Sequence, residues 1–245
     1  MSITEQMRRS LAIAKKDLLI YFLKGPTLIF GLLLPSFLFV AFAMGRKLPA
    51  DFLIPGLVGM TLFFTTSAVG PVIAPWETRM RTFERLVSTP IALWGIILGD
   101  VIASFIFGAG ITLVVLVVGS VLVGFNAFSI TVIVSTVVAA FCFSSLGVML
   151  SSPPTDNPSN IMMLSTLVKF PLIFVSGVFI PLVDMGGVRV VSYMSPLTYY
   201  VDAVRCSVDM GYFNPVVDVG ILIVFCVLFL TAAIVWHQKN LDKRF

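Results

Sequence analysis

Six apolar runs fill most of this 245-residue chain, and nearly all of its charge lies in the gaps between them. They cover Pro26–Met44, Phe52–Pro75, Ile91–Val118, Ala127–Leu150, Ile161–Val183 and Val216–Trp236. Each is near or above the ~20 residues a helix needs to cross about 30 Å of hydrocarbon. With 58% hydrophobic and 11% charged residues, the chain has too little polar surface to face water all round. Helices satisfy their own backbone hydrogen bonds where no water reaches, and the short polar–apolar alternation of a membrane β-barrel is absent. The pattern predicts an all-α polytopic membrane protein: one transmembrane domain over residues 1–245, built from six transmembrane helices.

The charged gaps set its orientation. Arg8, Arg9, Lys15, Lys16 and Lys24 precede the first run, Arg79, Arg81 and Arg85 fill the second gap, and Lys239, Lys243 and Arg244 follow the last run. Six spans put all of these on one side and leave Arg46, Lys47, Arg189 and Arg205 on the other. The positive-inside rule then predicts a cell-membrane protein with both termini in the cytoplasm. The first run reads as a retained helix rather than a cleaved leader, since 25 residues precede it and Arg46-Lys47 follow it closely.

Residues 5–22 place Met7, Leu11, Ala14 and Leu18 on one helical stripe among basic residues, which predicts an amphipathic helix along the cytoplasmic surface. Juxtamembrane basic residues meeting anionic lipid account for the net charge of +4, and no nucleic-acid partner is expected. Lys169 is expected to extend its stem to the cytoplasmic surface, and Asp100 to face protein, a partner or headgroups rather than lipid. Cys142, Cys206 and Cys226 have no metal-ligand spacing and read as packing residues. His237, just past the last run, reads as an interfacial cation, and no metal site is expected. Gly95-x-x-x-Gly99 followed by Ser104-x-x-x-Gly108 gives the third run a small-residue face for close helix packing.

Two gaps are more than turns. Residues 76–90 have the length and propensity for a short cytoplasmic helix, with Glu77 and Arg81 four apart and Pro90 closing it. Phe83 and Leu86 would form an apolar knob flanked by Glu84 and Arg85, suited to docking on a cytoplasmic protein; the alternative is a solvated helix whose arginines only hold the topology. The fifth gap breaks at glycine and proline, then offers short apolar stretches. That pattern predicts an extracellular region of half-helices over residues 184–215, dipping back toward the membrane as a lid or as a loop that caps the bundle. Asp202 and Arg205 would pair across one turn at its surface.

Both gaps resemble those of the membrane subunit of an ABC-2 type transporter. The family's coupling helix carries a glutamate, basic residues, a threonine, Glu-Arg-Leu and a closing Thr-Pro, matched here by Glu77, Arg79, Thr82, Glu84-Arg85-Leu86 and Thr89-Pro90. Arg81 stands where members usually have glycine, and Asp100 where they often have lysine. A Ser-Gly-x-Phe-x-Pro segment is matched by Ser176, Gly177, Phe179 and Pro181. A Ser-Pro-Leu-Thr-Tyr segment is matched by Ser195, Pro196 and Tyr199, and an Asp-x-x-Arg by Asp202 and Arg205.

The resemblance implies a permease dimer carrying two cytoplasmic ATP-binding subunits, with ATP and magnesium held by that partner and no cofactor on this chain. It implies coupling through Glu77, Arg79, Arg81, Phe83, Glu84, Arg85 and Leu86, and an extracellular gate at Ser176, Gly177, Phe179, Pro181, Ser195, Pro196, Tyr199, Asp202 and Arg205. The expected function is ATP-driven export of a hydrophobic drug, lipid or glycan-type substrate, with no catalysis by the chain itself. The alternatives are a non-transporting scaffold that recruits a cytoplasmic protein, and a transporter driven by an ion gradient.

Overall fold

In the computed structural model, residues 3–22, 33, 36–38, 40–41, 50–123 and 128–241 are described. Most of the first run, Pro26–Met44, lies outside the described residues, as do Lys24, Arg46, Lys47, Lys243 and Arg244 of the charge count. Among the described residues every regular element is helical. Helix α1 (Ile3–Asp17) ends in a π-helical turn, Leu18–Phe22. Then come α2 (Ala50–Thr66), α3 (Gly70–Arg79), α4 (Thr82–Val87), α5 (Leu93–Val123), α6 (Ile130–Leu150) and α7 (Pro158–Val175). After a 3₁₀ turn at Leu182–Val188 follow α8 (Arg189–Ser192), α9 (Pro196–Arg205) and α10 (Pro215–Lys239).

Among the described residues, five stretches are long and apolar enough to cross a membrane: Asp51–Arg79, Leu93–Val121, Ile130–Leu150, Pro158–Val175 and Pro215–Lys239. The chain is an all-α polytopic membrane protein. Successive crossings bring α1, the segment 76–92, the loop 151–157 and the end of α10 to one face, and residues 176–214 to the other.

The span Asp51–Arg79 is broken between α2 and α3. Thr65 and Thr66 turn their hydroxyls back onto the carbonyls of Thr61 and Leu62, each at 2.7 Å, and Ser67 does the same onto Phe63. Such back-bonding bends helices. Pro71 then has no N–H to give the carbonyl four residues earlier, that of Ser67. Lys169 supplies the missing donor: its Nζ lies 2.8 Å from the Ser67 oxygen and the residue is buried. The expected reach of Lys169 to the surface is therefore corrected. A bare carbonyl within the bundle draws the ammonium inward more strongly than the interface draws it out.

The small-residue face of α5 packs against two different elements. A Cβ on Gly99 would lie 2.8 Å from Ile13 Cβ and 2.9 Å from the Ser10 carbonyl, so α1 rests directly on α5. A Cβ on Gly108 would lie 2.9 Å from the Thr66 backbone, so α5 also crosses the break in the second span. The face of α1 turned inward is Gln6, Ser10, Ile13, Ala14 and Asp17. Met7 and Leu11, expected to share a stripe with Ala14, are exposed beside Ile3 and Leu19. The glycines of α5 receive Ile13 together with small and polar residues of α1, and Met7 and Leu11 are left facing outward. The main core gathers Met60, Leu62 and Phe63 of α2, Phe143 of α6, and Leu197 and Tyr200 of α9. Tyr200 shares a hydrogen bond of 2.9 Å with Thr136.

Lys169→Met is predicted to destabilise the folded protein by about 1–3 kcal/mol, the cost of a buried acceptor left unpaired. Pro71→Ala in the same chain restores an N–H near that carbonyl and recovers part of the loss. Thermal unfolding of the two single variants and the double variant in detergent checks this; simple additivity would contradict the shared carbonyl.

Candidate functional site

The segment 76–92 is not one short helix. Trp76–Arg79 is the last turn of α3, continuous with the second span, and α4 is a separate helix of six residues. Arg81 joins them with φ 55°, a left-handed backbone. That geometry explains why glycine is usual at this place: a side chain there costs about 1–2 kcal/mol. The reversal replaces the predicted Glu77–Arg81 neighbourhood. Glu77 is buried and paired with Lys16 of α1, while Arg81 is exposed.

Helix α1 holds both ends of this segment. Lys16 bridges Glu77 and also Asp17, the latter at 2.9 Å. Gln6 Oε1 accepts from the Ala92 N–H at 3.0 Å, and Arg9 donates to the Pro90 carbonyl. Burial alone would lower the Lys16 pKa, but Asp17 and Glu77 outweigh it and hold the ammonium above its ordinary value. Burial likewise raises Asp17, against the opposing pull of Lys16. Asp100 of α5 is buried beside this group, facing protein as expected, and its Oδ1 has no hydrogen-bond partner among the described residues.

Phe83 is 3% exposed and so anchors α4 to the body instead of forming an outward knob; Leu86 is half-buried. Met80, 70% exposed, is the apolar side chain that does project, among exposed Arg79, Arg81, Glu84 and Arg85. Thr78, Arg79, Arg81 and Glu84 line a cleft of about 500 Å³ whose opposite wall is Pro154, Thr155 and Asp156. Nothing in the sequence joined these two loops. The alternating direction of the spans was the available signal, since it puts both on one face. His237 is buried, with Nε2 3.1 Å from Ser151 Oγ and Nδ1 2.9 Å from the Ala233 carbonyl, so it ties α10 to the second loop instead of lying at an interface.

On the opposite face the two predicted signature segments meet. Gly177 takes φ +73° as the chain leaves α7, a backbone that favours glycine. The carbonyls of Gly177 and Val178 accept from Arg205 at 2.8 and 3.3 Å, and the guanidinium lies 4.1 Å from the centre of the Phe52 ring. Asp202 does not pair with Arg205 at a surface. Both are buried, and Asp202 accepts from the N–H groups of Tyr212 and Phe213 at 2.9 and 2.7 Å. Ion pairing lost to backbone satisfaction because each side chain had uncapped peptide groups within reach.

The remaining residues of the outer set join the same cap. Ser195 Oγ donates to the Leu172 carbonyl at 2.9 Å, Ser176 Oγ to Ile173 at 2.7 Å, and Tyr199 to Tyr193 at 2.9 Å. Pro196 begins α9, Pro181 precedes the 3₁₀ turn, and the Phe179 ring packs tilted against Phe174 at 5.7 Å.

The fold and these two clusters define a multi-pass membrane protein with a structured loop surface on each side. The sequence matches the ABC-2 type transporter family over residues 5–208, and the chain belongs to that family, as a permease component of an ABC transporter. Membership implies an ATP-binding partner; permeases of this kind are membrane components and are not themselves catalytic. No curated protein matches the sequence.

Lys16→Met is predicted to leave Glu77 and Asp17 buried without their cation and to cost about 1–3 kcal/mol, less than the loss of a fully buried pair because the ammonium is partly exposed. Adding Glu77→Gln should recover part of the loss in a denaturation cycle. Equal losses with and without Glu77 would refute the pairing.

Proposed function

We propose that this permease moves a hydrophobic drug, lipid or glycan-type substrate out of the cytoplasm, driven by ATP hydrolysed on separate partner subunits. The observation that carries the reading is the clamp of α1 on both ends of residues 76–92. A push on α4 or on the exposed residues around it is transmitted to α1 through Gln6, Arg9 and Lys16, and directly into the second and third spans. Glu84, Arg85, Arg79, Arg81 and Met80 supply the partner contact, with Asp156 and Thr155 as the second wall. Phe83, Leu86 and Glu77 act behind that surface, holding it to the body.

In this reading the face with α1 is cytoplasmic, and the cell membrane is the site of action. The cap built on Arg205, Asp202, Ser195, Pro196 and Tyr199, together with the Ser176–Pro181 turn, gates the opposite end. Its short helices dip toward the outer leaflet, since every residue of α9 is buried. A second copy of the chain covers part of the apolar surface that α5 and α10 leave uncovered, including Val114, Val117, Val224 and Val227. A passage between such faces suits an apolar cargo. An ion-gradient mechanism is less well supported: Asp100 and Glu77 belong to the α1 cluster, Lys169 is held by a backbone carbonyl, and Asp218 lies at the other face.

The test is Arg79→Ala, Glu84→Ala and Arg85→Ala together, all exposed positions, in the permease co-expressed with its ATP-binding subunit. Membrane insertion and thermal stability are expected to remain normal while subunit association and permease-stimulated ATP hydrolysis fall at least about tenfold, as for loss of ~1.4 kcal/mol of contact. Wild-type association and hydrolysis in this variant would sink the coupling assignment.

A further inference from the structure

We propose that Asp202, Cys206 and Asp218 form a binding site for one divalent cation of the zinc type at the outer end of the last span. One carboxylate oxygen from each aspartate and the Cys206 Sγ all lie within 4.8 Å of one another. On a tetrahedral zinc with bonds of ~2.0–2.3 Å the ligand atoms lie roughly 3.3–3.7 Å apart, so an ion draws the three together by at most about 1.5 Å. Two carboxylates and a thiolate suit zinc better than magnesium or calcium, which take oxygen ligands.

The site is held by the fold on three sides. Asp202 and Cys206 are four residues apart across the end of α9 and share a face, while Asp218 stands in the first turn of α10. The connecting loop closes over them. Tyr212 donates its N–H to both Asp202 oxygens, at 2.9 and 3.1 Å, and Phe213 donates to Oδ2 at 2.7 Å; together they fix the carboxylate and leave a lone pair free on Oδ1. Gly211 lies against Cys206 so closely that a Cβ there would be 3.1 Å from the cysteine Cα.

Asp218 points to the ligand independently. The residue is fully buried, yet among the described residues neither of its side-chain oxygens has a hydrogen-bond partner. A buried carboxylate without partner or counter-charge is costly, and the metal-ligating groups that the described residues bring near it are another carboxylate and a thiol. A divalent cation satisfies all three at once. On binding, the Cys206 thiol gives up its hydrogen bond to the Phe213 carbonyl and loses its proton to solvent as the sulfur–metal bond forms. Arg205, adjacent to Asp202, balances the remaining negative charge. The fourth tetrahedral position is left for water or a passing ligand. No motif announces the site, because its third ligand comes from a different helix, beyond an intervening loop.

Full-length protein in lipid nanodiscs, with its purification tag removed, is titrated with Zn²⁺ and separately with Co²⁺. One zinc per chain is expected, with a sulfur-to-cobalt charge-transfer band. Cys206→Ser should abolish that band, and both Cys206→Ser and the near-isosteric Asp218→Asn should weaken zinc binding at least about tenfold, the lower range for disturbed metal sites. Unfolding temperatures measured without metal confirm that the variants are folded. Zinc binding no tighter than in the Cys206→Ser/Asp218→Asn double variant, or a cobalt band that survives Cys206→Ser, would overturn the proposal.

Discussion

A peptide carbonyl within a membrane bundle needs a donor, and the second span cannot provide one for Ser67. Pro71 removes the N–H that would have served it, and three successive hydroxyl residues bend the helix at the same place. The rest of the bundle is arranged around that deficit. Lys169 comes inward from α7 to fill it. Gly147 lets α6 pass close, since a Cβ there would lie 3.2 Å from Ser67 Cα, and Gly108 lets α5 approach Thr66. Three spans thus converge on one break in a fourth.

The break divides the second span into two parts with different attachments. Its outer part begins with Phe52 under the Arg205 guanidinium and carries Gly59, against which Val201 and Leu197 of α9 pack. Its inner part ends at Glu77 under Lys16. One broken span, α2 followed by α3, therefore joins the outer cap to the clamp around residues 76–92, with the Ser67–Lys169 bond at the joint. At each end a long cation carried by a neighbouring helix meets the span: Lys16 pairs with Glu77, and Arg205 covers the Phe52 ring while donating to the carbonyls of Gly177 and Val178. The proposed metal site extends this pattern to α10, where a cation would tie the last span to the end of α9.

The sequence makes membrane residence, the helical class and the position of both structured loops legible, because hydropathy and glycine–proline punctuation act locally. It also shows Gly95, Gly99 and Gly108 as packing positions, but not that the first two receive α1. Where it misleads, the missing information is tertiary. Glu77 and Arg81 look like a helical pair until a left-handed residue intervenes. Phe83 looks like a docking knob until α4 turns it inward, and Asp202–Arg205 looks like an ion pair until uncapped peptide groups claim each member. Lys169 looks like a snorkelling lysine because Pro71, the cause of its inward turn, lies in another span. A side chain's partner follows from whichever unsatisfied group the fold brings nearest, and spacing along one helix does not report that.

On the proposed mechanism, α1 and residues 76–92 move together as one unit when the partner acts. Cysteines introduced at Gln6 and Ala92, joined by a short bismaleimide in the assembled transporter, test it directly. Each single change serves as the control for native thiols. If the two elements move as one, ATP hydrolysis and transport in the cross-linked protein match those of the unlinked variant. Loss of transport on cross-linking, with both single-cysteine controls active, would show that the two elements must separate and would contradict it.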